Sequence, residues 1–179
     1  MGLAWLHALP AAAQGERLQL PPGDKVASPW KPVLTLDRPE LKADEAAGIR
    51  LADDAQVGRT LVVGPWLAGA WWARVQYEKP FPPVPTEVRG QYRTVDLLPY
   101  TAGVRADFYD AGGKRLNRVG YPLLPTAHWT PFSVRFDKFP VGTARMEFSF
   151  GLGQHTQGEV WFAQLETQPA GPHPLADFG

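Results

Sequence analysis

Apolar and polar residues alternate along most of this chain, in short segments that end at glycine, proline or aspartate. The alternation is clearest over residues 71–77, 104–109 and 144–150, where every second residue is apolar. This period of two is typical of β-strands that bury one face. Further strands are predicted at 33–36, 49–51, 60–63, 87–98, 114–119, 129–136 and 159–167.

The order and spacing of these segments predict an all-β fold, an antiparallel two-sheet β-sandwich with a jelly-roll-like arrangement. Turn residues separate the short strands, as in sandwiches and barrels, and Asp110–Gly113 predicts a hairpin turn. No alternation of strands with helices is present, which argues against a doubly wound nucleotide-binding fold. We predict a sandwich domain over residues 33–167, a leader over 1–32 and a Pro/Gly-rich tail or linker over 168–179.

The leader has features of a processed export signal followed by a Pro-rich segment. Leu3–Leu9 is apolar and short, and three alanines follow at 11–13, where a signal peptidase prefers small residues. These features favour a signal-peptide remnant and a secreted or periplasmic protein. The alternatives are a short helix packed on the domain and a disordered leader. The prolines from Pro21 to Pro32 are expected to prevent regular structure.

Charge and composition remove several classes of function. Eighteen basic residues balance eighteen acidic ones, so the chain lacks the net positive charge that nucleic-acid binding usually requires. Cysteine is absent, which excludes a disulfide scaffold and a thiolate metal site. No apolar run reaches the roughly 18 residues that a membrane-spanning helix needs. We therefore expect neither a nucleic-acid partner nor a membrane span.

Strand alternation divides the side chains of the clearest strands between a buried and an exposed face. The face opposite the apolar one combines aromatic rings with arginine, glutamine and carboxylate groups. Such rings stack on the flat face of a sugar, and the planar polar groups hydrogen-bond its hydroxyls or an acidic substituent. The alternative is an ordinary solvent-facing sheet with cross-strand charge pairs. The candidate ligand-binding residues are Trp72, Arg74, Gln76, Arg105, Asp107, Tyr109 and Glu147.

Other aromatic residues lie in predicted loops or in the last strand. Trp66, Tyr100, Tyr121 and Trp129 neighbour prolines or histidine at the ends of strands, where loops commonly form ligand sites. The alternative is that these rings cover the ends of the core. Trp161 in the last predicted strand is expected to belong to the core.

Sequence signatures of catalysis and of metal binding are absent. The chain has no nucleophile elbow, zincin motif, phosphate-binding loop or dinucleotide-binding fingerprint. Its four histidines are isolated in sequence. Asp53, Asp54 and Asp110 could contribute oxygen ligands for calcium, but aspartate at these positions is more typical of turns. Catalytic residues are not assigned, although paired carboxylates can meet in space without a sequence motif.

Residues 93–166 resemble the second half of a β-sandwich carbohydrate-binding module. Residues 104–114 are similar to the strand and Asp-x-Gly-Gly hairpin of such modules, and residues 129–136 to a tryptophan followed by an alternating strand. Residues 144–150 and 158–165 are similar to the closing strand pair, whose last strand typically reads Gly-x-Val-Trp-Phe-Asp-Asp-Val. The resemblance implies a jelly roll appended to a polysaccharide-degrading enzyme, often secreted and often holding a structural calcium.

One departure from that pattern concerns the calcium. Ala163-Gln164 replaces the two aspartates that follow Trp-Phe in the resembled modules. An aspartate there commonly takes part in the calcium site, so no metal ligand is carried over. We expect no cofactor.

These observations together predict non-catalytic binding of a polysaccharide or oligosaccharide. Trp72 and Tyr109 would stack on sugar rings, and the polar candidates would bond hydroxyls or an acidic sugar. A catalytic domain of the same parent protein is a further expected partner. Two other functions remain open: an accessory domain that contacts another protein, and a small polysaccharide hydrolase or lyase. The ligand site itself could be the sheet face or the rim loops.

Overall fold

The computed structural model describes residues 15–36, 48–65, 70–98, 102–153 and 157–171. Within these ranges the chain forms eleven strands and no helix. Among the same residues, no helix has the length and apolar character required to cross a bilayer. The strands are β1 (Glu16–Arg17), β2 (Trp30–Leu36), β3 (Arg50–Asp54), β4 (Gly58–Val63), β5 (Ala70–Tyr77), β6 (Thr86–Leu98), β7 (Ala102–Tyr109), β8 (Arg115–Leu123), β9 (Thr130–Phe136), β10 (Arg145–Leu152) and β11 (Gln157–Pro169).

The strands form two antiparallel sheets that pack face to face. One sheet has the order β3-β4-β11-β6-β9, with β1 also paired to β11, and the other has the order β2-β5-β10-β7-β8. We call them the six-stranded and the five-stranded sheet. From β4 to β7 and from β8 to β11, each strand lies in the sheet opposite its predecessor. The predicted all-β, two-sheet sandwich with a jelly-roll-like course is confirmed.

Aromatic side chains from both sheets fill the space between them. Phe150 on β10 and Phe162 on β11 are fully buried, and their ring centroids lie 5.5 Å apart across the two sheets. Phe148 lies 5.3 Å from Phe136 in the same way. Tilted and edge-on contacts at this distance add roughly 0.5–1.5 kcal/mol to the burial of the rings. The apolar positions predicted from alternation are in this core from Val104 to Phe108 on β7 and from Met146 to Phe150 on β10. Ala144, the first apolar position of the predicted segment 144–150, is exposed because β10 begins only at Arg145.

The segment before residue 33 contributes to the sandwich, contrary to the expectation that its prolines prevent regular structure. β1 pairs with β11, and β2 begins at Trp30 rather than at Val33. Leu18 and Trp30 are buried in the core, where the Trp30 indole nitrogen donates to the backbone oxygen of Gln19 at 2.8 Å. A peptide oxygen that accepts from a buried ring nitrogen lets this loop cover the core without an unpaired polar group.

Strand β8 is longer than predicted. It continues through Gly120 and Pro122 to Leu123, where a Pro-interrupted loop was expected. Proline has no backbone N–H to donate to a neighbouring strand, so it is disfavoured inside a sheet. β8 tolerates Pro122 because it is the edge strand of the five-stranded sheet.

Some predictions concern residues outside the described ranges. The signal-like leader up to residue 14 and the rim residues Trp66 and Tyr100 belong to this group. The side chains of Trp71 and Trp72 are likewise outside the description, although the backbone of both is part of β5.

Candidate functional site

The outer face of the five-stranded sheet brings together six of the seven residues predicted as a ligand site. Arg105 and Asp107 on β7 pair across the sheet with Ser149 and Glu147 on β10, and β5 lies on the other side of β10. Arginines from β8 and β10 complete the surface, which we call the polar face. It consists of Arg74, Gln76, Arg105, Asp107, Tyr109, Arg115, Arg118, Arg145, Glu147 and Ser149.

The seventh predicted residue, Trp72, is located by its backbone alone. It occupies β5 opposite Thr35 of β2, two residues before Arg74. Strand alternation therefore still predicts the same face for Trp72 and Arg74.

One end of the polar face is a chain of contacts across three strands. The Gln76 amide nitrogen donates to the Glu147 carboxylate, which also forms an ion pair with Arg145. The Arg145 guanidinium lies over the Tyr109 ring, 4.2 Å from its centroid. Burial, helped by the charges of nearby carboxylates, raises the pKa of the Tyr109 hydroxyl. One side of this ring is thus occupied by a cation, which leaves it less free to stack on a sugar than predicted.

The centre of the face is a single carboxylate surrounded by arginines. Asp107 accepts from Arg118 at 2.9 Å, pairs with Arg105 at 3.2 Å and lies 3.7 Å from Arg115. Arg115 and Arg118 come from β8, and neither was predicted as a site residue. The signal that could have identified Arg118 is its register position opposite Asp107, which required knowing that β7 and β8 pair along their full length.

Arg74 is buried, whereas we expected its guanidinium to face water. Its side chain extends from β5 across β10 and donates to the Ser149 hydroxyl at 3.0 Å, the Ser149 carbonyl at 3.0 Å and the Gly103 carbonyl at 2.8 Å. Burial, together with the neighbouring charge of Arg105, lowers the pKa of Arg74 to about 9. The group therefore remains a cation at neutral pH.

Two glycines explain how a long side chain can lie flat across the sheet. Gly151 on β10 is opposite Arg74 on one side and Gly103 of β7 on the other. Because neither glycine projects a side chain onto the face, the Arg74 guanidinium can pass over β10 and reach the Gly103 carbonyl. The expectation that Arg74 is exposed was wrong because hydrogen bonds to neutral acceptors replace part of its lost hydration.

A cavity of about 230 Å³ adjoins these groups. Its lining includes Arg74, Arg105, Gly103 and Gly120. The two glycines leave space because they have no side chain, and the two arginines contribute guanidinium groups to the cavity wall. A larger cavity of about 340 Å³ lies beside Phe136 and Lys138, away from the centre of the polar face.

The outer face of the six-stranded sheet carries a second aromatic group, centred on Trp161. We expected Trp161 in the core, but it is half-buried on the outside, while its neighbours Val160 and Phe162 point inward. The Arg93 guanidinium lies 4.4 Å from the Trp161 ring centroid and 5.2 Å from that of Trp129. The Arg93 guanidinium thus holds the two rings in one cluster and occupies one side of each ring.

A metal site has no support in the described ranges. Among those residues, no group of three or more His, Asp or Glu side chains is arranged to hold a metal ion. Ala163 is fully buried in β11 and Gln164 follows it at positive φ. These are the two positions where the resembled modules carry aspartates.

We expect thermal stability to be insensitive to chelation. A metal that binds only the folded state stabilises it by mass action, so removal of such a metal must lower the melting temperature. Thermal denaturation followed by circular dichroism, with and without EDTA, measures this directly. A clear drop in the EDTA sample, restored by calcium, would show that the chain holds a structural ion.

Comparisons with known proteins support the fold and give no family by sequence. No family model matches the chain, and no curated protein is a significant match. The structure is similar to the family 11 carbohydrate-binding module of Clostridium thermocellum, described in complex with a β-1,3-1,4-mixed-linked tetrasaccharide, at 12% identity and a TM-score of 0.55. That match covers 91% of this chain and 100% of the module.

Two other solved structures give the same result. The family 29 module CBM29_1 of Piromyces equi matches at 9% identity and a TM-score of 0.52, over 93% of this chain and 98% of the module. The enzymatically active domain of tailspike protein 4 of bacteriophage CBA120 matches at 14% identity and a TM-score of 0.56. That match covers 79% of this chain but only 19% of the tailspike chain. The chain thus has the fold of carbohydrate-binding modules, a fold also found as part of larger proteins.

Proposed function

We propose that this chain is a non-catalytic polysaccharide-binding module whose ligand site is the polar face. The observation that carries the proposal is that β5, β10 and β7 place amide, carboxylate and guanidinium groups in register on one sheet surface. Planar polar groups of this kind match the closely spaced hydroxyls of a sugar ring with paired hydrogen bonds. The fold shared with carbohydrate-binding modules supports the proposal.

The two carboxylates of the polar face, Asp107 and Glu147, form ion pairs with arginines, which supports binding rather than hydrolysis. Asp107 is shared by arginines of β7 and β8, and Glu147 is paired with Arg145. Glycoside hydrolysis needs two carboxyl groups placed on either side of the scissile bond and available to it. Carboxylates that act as counter-ions for arginines on their own sheet are better suited to positioning those arginines.

The same proposal includes the setting of the module. We infer a secreted or periplasmic location and attachment to a polysaccharide-degrading catalytic domain in the same parent protein. The apolar Leu3–Leu9 segment and the alanines that follow it support export. The similarity to a segment of the longer tailspike chain supports a multidomain parent.

Replacement of Trp72 by alanine is expected to weaken polysaccharide binding with little effect on stability. Trp72 alternates in phase with Arg74 and Gln76, which lie on the polar face. Loss of a stacking ring should reduce affinity by about tenfold or more, since large aromatic groups dominate such contacts. Affinity electrophoresis in gels containing mixed-linked β-glucan, xylan or polygalacturonate measures the loss, and thermal denaturation measures the fold.

The adjacent Trp71→Ala variant is the matched control. Trp71 is in phase with the core residues Ala73 and Val75, so its replacement should cost roughly 3–5 kcal/mol of stability. Unfolding by Trp72→Ala would mean that the strand phase is reversed. A folded Trp72→Ala variant with unchanged binding would move the ligand site away from the sheet face. A parent protein that retains no polysaccharide would favour an accessory domain that contacts another protein.

A further inference from the structure

Positive charge is concentrated at the centre of the polar face, although the whole chain is neutral. Arg74, Arg105, Arg115 and Arg118 surround one carboxylate, that of Asp107. The whole chain, with these residues included, has eighteen acidic and eighteen basic residues. A local excess of guanidinium groups on a ligand-binding surface attracts anions and favours their association.

Within this cluster, the environment of Arg74 is unusual for a buried cation. Its three hydrogen bonds all go to neutral acceptors, the hydroxyl and carbonyl of Ser149 and the carbonyl of Gly103. Among the described residues, no carboxylate lies within ion-pair distance of its guanidinium. Buried charges in proteins normally have a counter-ion, because their removal from water is costly. The negative charge nearest to this cation that acts on it is that of Asp107, which also pairs with Arg105, Arg115 and Arg118, so the cluster keeps an excess of positive charge.

Space for a counter-ion exists directly beside this group. The cavity of about 230 Å³ is lined by both Arg74 and Arg105. Gly120, opposite Arg105 in the pairing of β7 with β8, lines the same cavity, and a Cβ atom added there would meet no atom within 4 Å. Any larger residue at position 120 would project into this space. Glycine at this position of β8 therefore leaves the space beside Arg105 open.

Two other arginines in the described part of the chain, one beside a cavity and one against indole rings, are already paired with carboxylates. Arg135 beside the larger cavity pairs with Asp137 at 2.7 Å. Arg93 on the opposite sheet pairs with Asp54 at 3.5 Å and is covered by two indole rings. Of these three arginines, Arg74 is the one beside which an external anion would gain most, because no carboxylate of the residues that the structure describes is bound directly to it.

We propose that the polar face selects acidic polysaccharides, and that the cavity beside Arg74 and Arg105 receives the anionic group of the sugar. This inference rests on the proposed function and adds the charge of the ligand. The group is the carboxylate of a uronic acid or a sulfate ester, both of which offer the oxygen pair that a guanidinium binds in a bidentate manner. The bound anion supplies negative charge that this arginine-rich cluster lacks, and a neutral glucan cannot.

Binding to three probes tests the selection directly. We expect isothermal titration calorimetry to give at least about tenfold tighter binding of polygalacturonate or of dextran sulfate than of mixed-linked β-glucan. The affinity should fall between about 20 mM and about 300 mM NaCl, because salt screens the attraction. Preference for polygalacturonate identifies the carboxylate, and preference for dextran sulfate identifies the sulfate ester.

Variants locate the site. Arg74→Met, and Gly120→Leu as a steric block that leaves the charges in place, should each reduce binding of the preferred acidic probe by at least about tenfold. Arg118→Gln should weaken it, whereas Arg89→Gln should not. Arg89 is the matched control because it is an exposed, singly paired arginine on the six-stranded sheet, with the same change in net charge.

The melting temperature of Arg74→Met distinguishes a ligand-binding role of Arg74 from a purely structural one. If Arg74 served only the fold, Arg74→Met would lower the melting temperature, whereas a site maintained for a ligand should lose binding with little or no loss of stability. If Arg74→Met does not fold, the binding measured for Gly120→Leu decides where the site lies.

An equal loss of affinity for the acidic probe in Arg89→Gln and Arg118→Gln would show that binding depends only on non-specific charge, and would overturn the proposal. Binding of the neutral glucan as tightly as the acidic probes would overturn it and leave the proposed function intact; no binding to any probe would reject both.

Discussion

Replacement of Phe162 by alanine is expected to lower the free energy of unfolding by about 3–5 kcal/mol, the usual cost of removing a large buried ring. Phe162 is fully buried on β11, and its ring lies 5.5 Å from that of Phe150 in the opposite sheet. It also contacts Phe132 on β9, at 6.2 Å between centroids. The substitution thus opens a cavity where the two sheets meet, and neighbours fixed in separate strands cannot easily collapse into it.

Urea unfolding followed by circular dichroism measures this loss. The control is Leu124→Ala, because Leu124 is a large apolar residue that is 77% exposed. Its backbone oxygen, which accepts from the Tyr92 hydroxyl at 2.8 Å, is unaffected by the change. We expect the control to remain within about 0.5 kcal/mol of the parent, as for most surface substitutions. Similar values for the two variants would show that the ring contacts between the sheets do not stabilise the fold as argued.

The strands that carry the polar face could be predicted because their alternation is strict. In β7 and β10, Val104, Phe108, Met146 and Phe148 occupy every second or fourth position, and all are fully buried. A single period of two determines both which residues enter the core and which share the outer surface. The fold class and the grouping of the candidate residues both follow from this local rule.

The contribution of β8 to the site could not be predicted in the same way. As an edge strand it has mostly exposed residues, so alternation gives little signal. Gly120 and Pro122 further suggest a loop. Arg115 and Arg118 become site residues only because β8 pairs with β7 and brings them to Asp107. Pairing between strands is a property of the folded chain that the local pattern does not contain.

The burial of Arg74 depends on residues far away in the sequence. Its phase in β5 correctly places it on the polar face, but its depth is set by hydrogen-bond acceptors on β7 and β10. The buried Leu18 and Trp30 in the Pro-rich N-terminal segment are a similar case. Prolines exclude helix and internal strands, but they allow an extended segment to cover a core.

The geometry of Arg74 makes Gly151 the position where fold and site are most closely coupled. A Cβ atom at residue 151 would lie 2.3 Å from the Ala73 carbonyl oxygen and 2.7 Å from the Arg74 Cα. Its φ of +154° also lies in a region that residues with a side chain rarely adopt. Both contacts are with backbone, so no rotamer change can relieve them. Gly151→Ala must push β5 away from β10 and displace Arg74 from its acceptors.

We expect Gly151→Ala to destabilise the protein by roughly 3 kcal/mol, combining overpacking with backbone strain, and to abolish ligand binding by the polar face. For a domain of this size the change corresponds to a fall of about 6–12 °C in melting temperature.

Gly120→Ala is the matched control, because its added methyl group meets no atom within 4 Å. That variant should equal the parent in stability or exceed it by up to about 1 kcal/mol, since alanine restricts the unfolded chain. Equal melting temperatures for the two variants would mean that β5 and β10 separate easily at Gly151. In that case the close approach of the two strands would not be what holds Arg74 across the sheet.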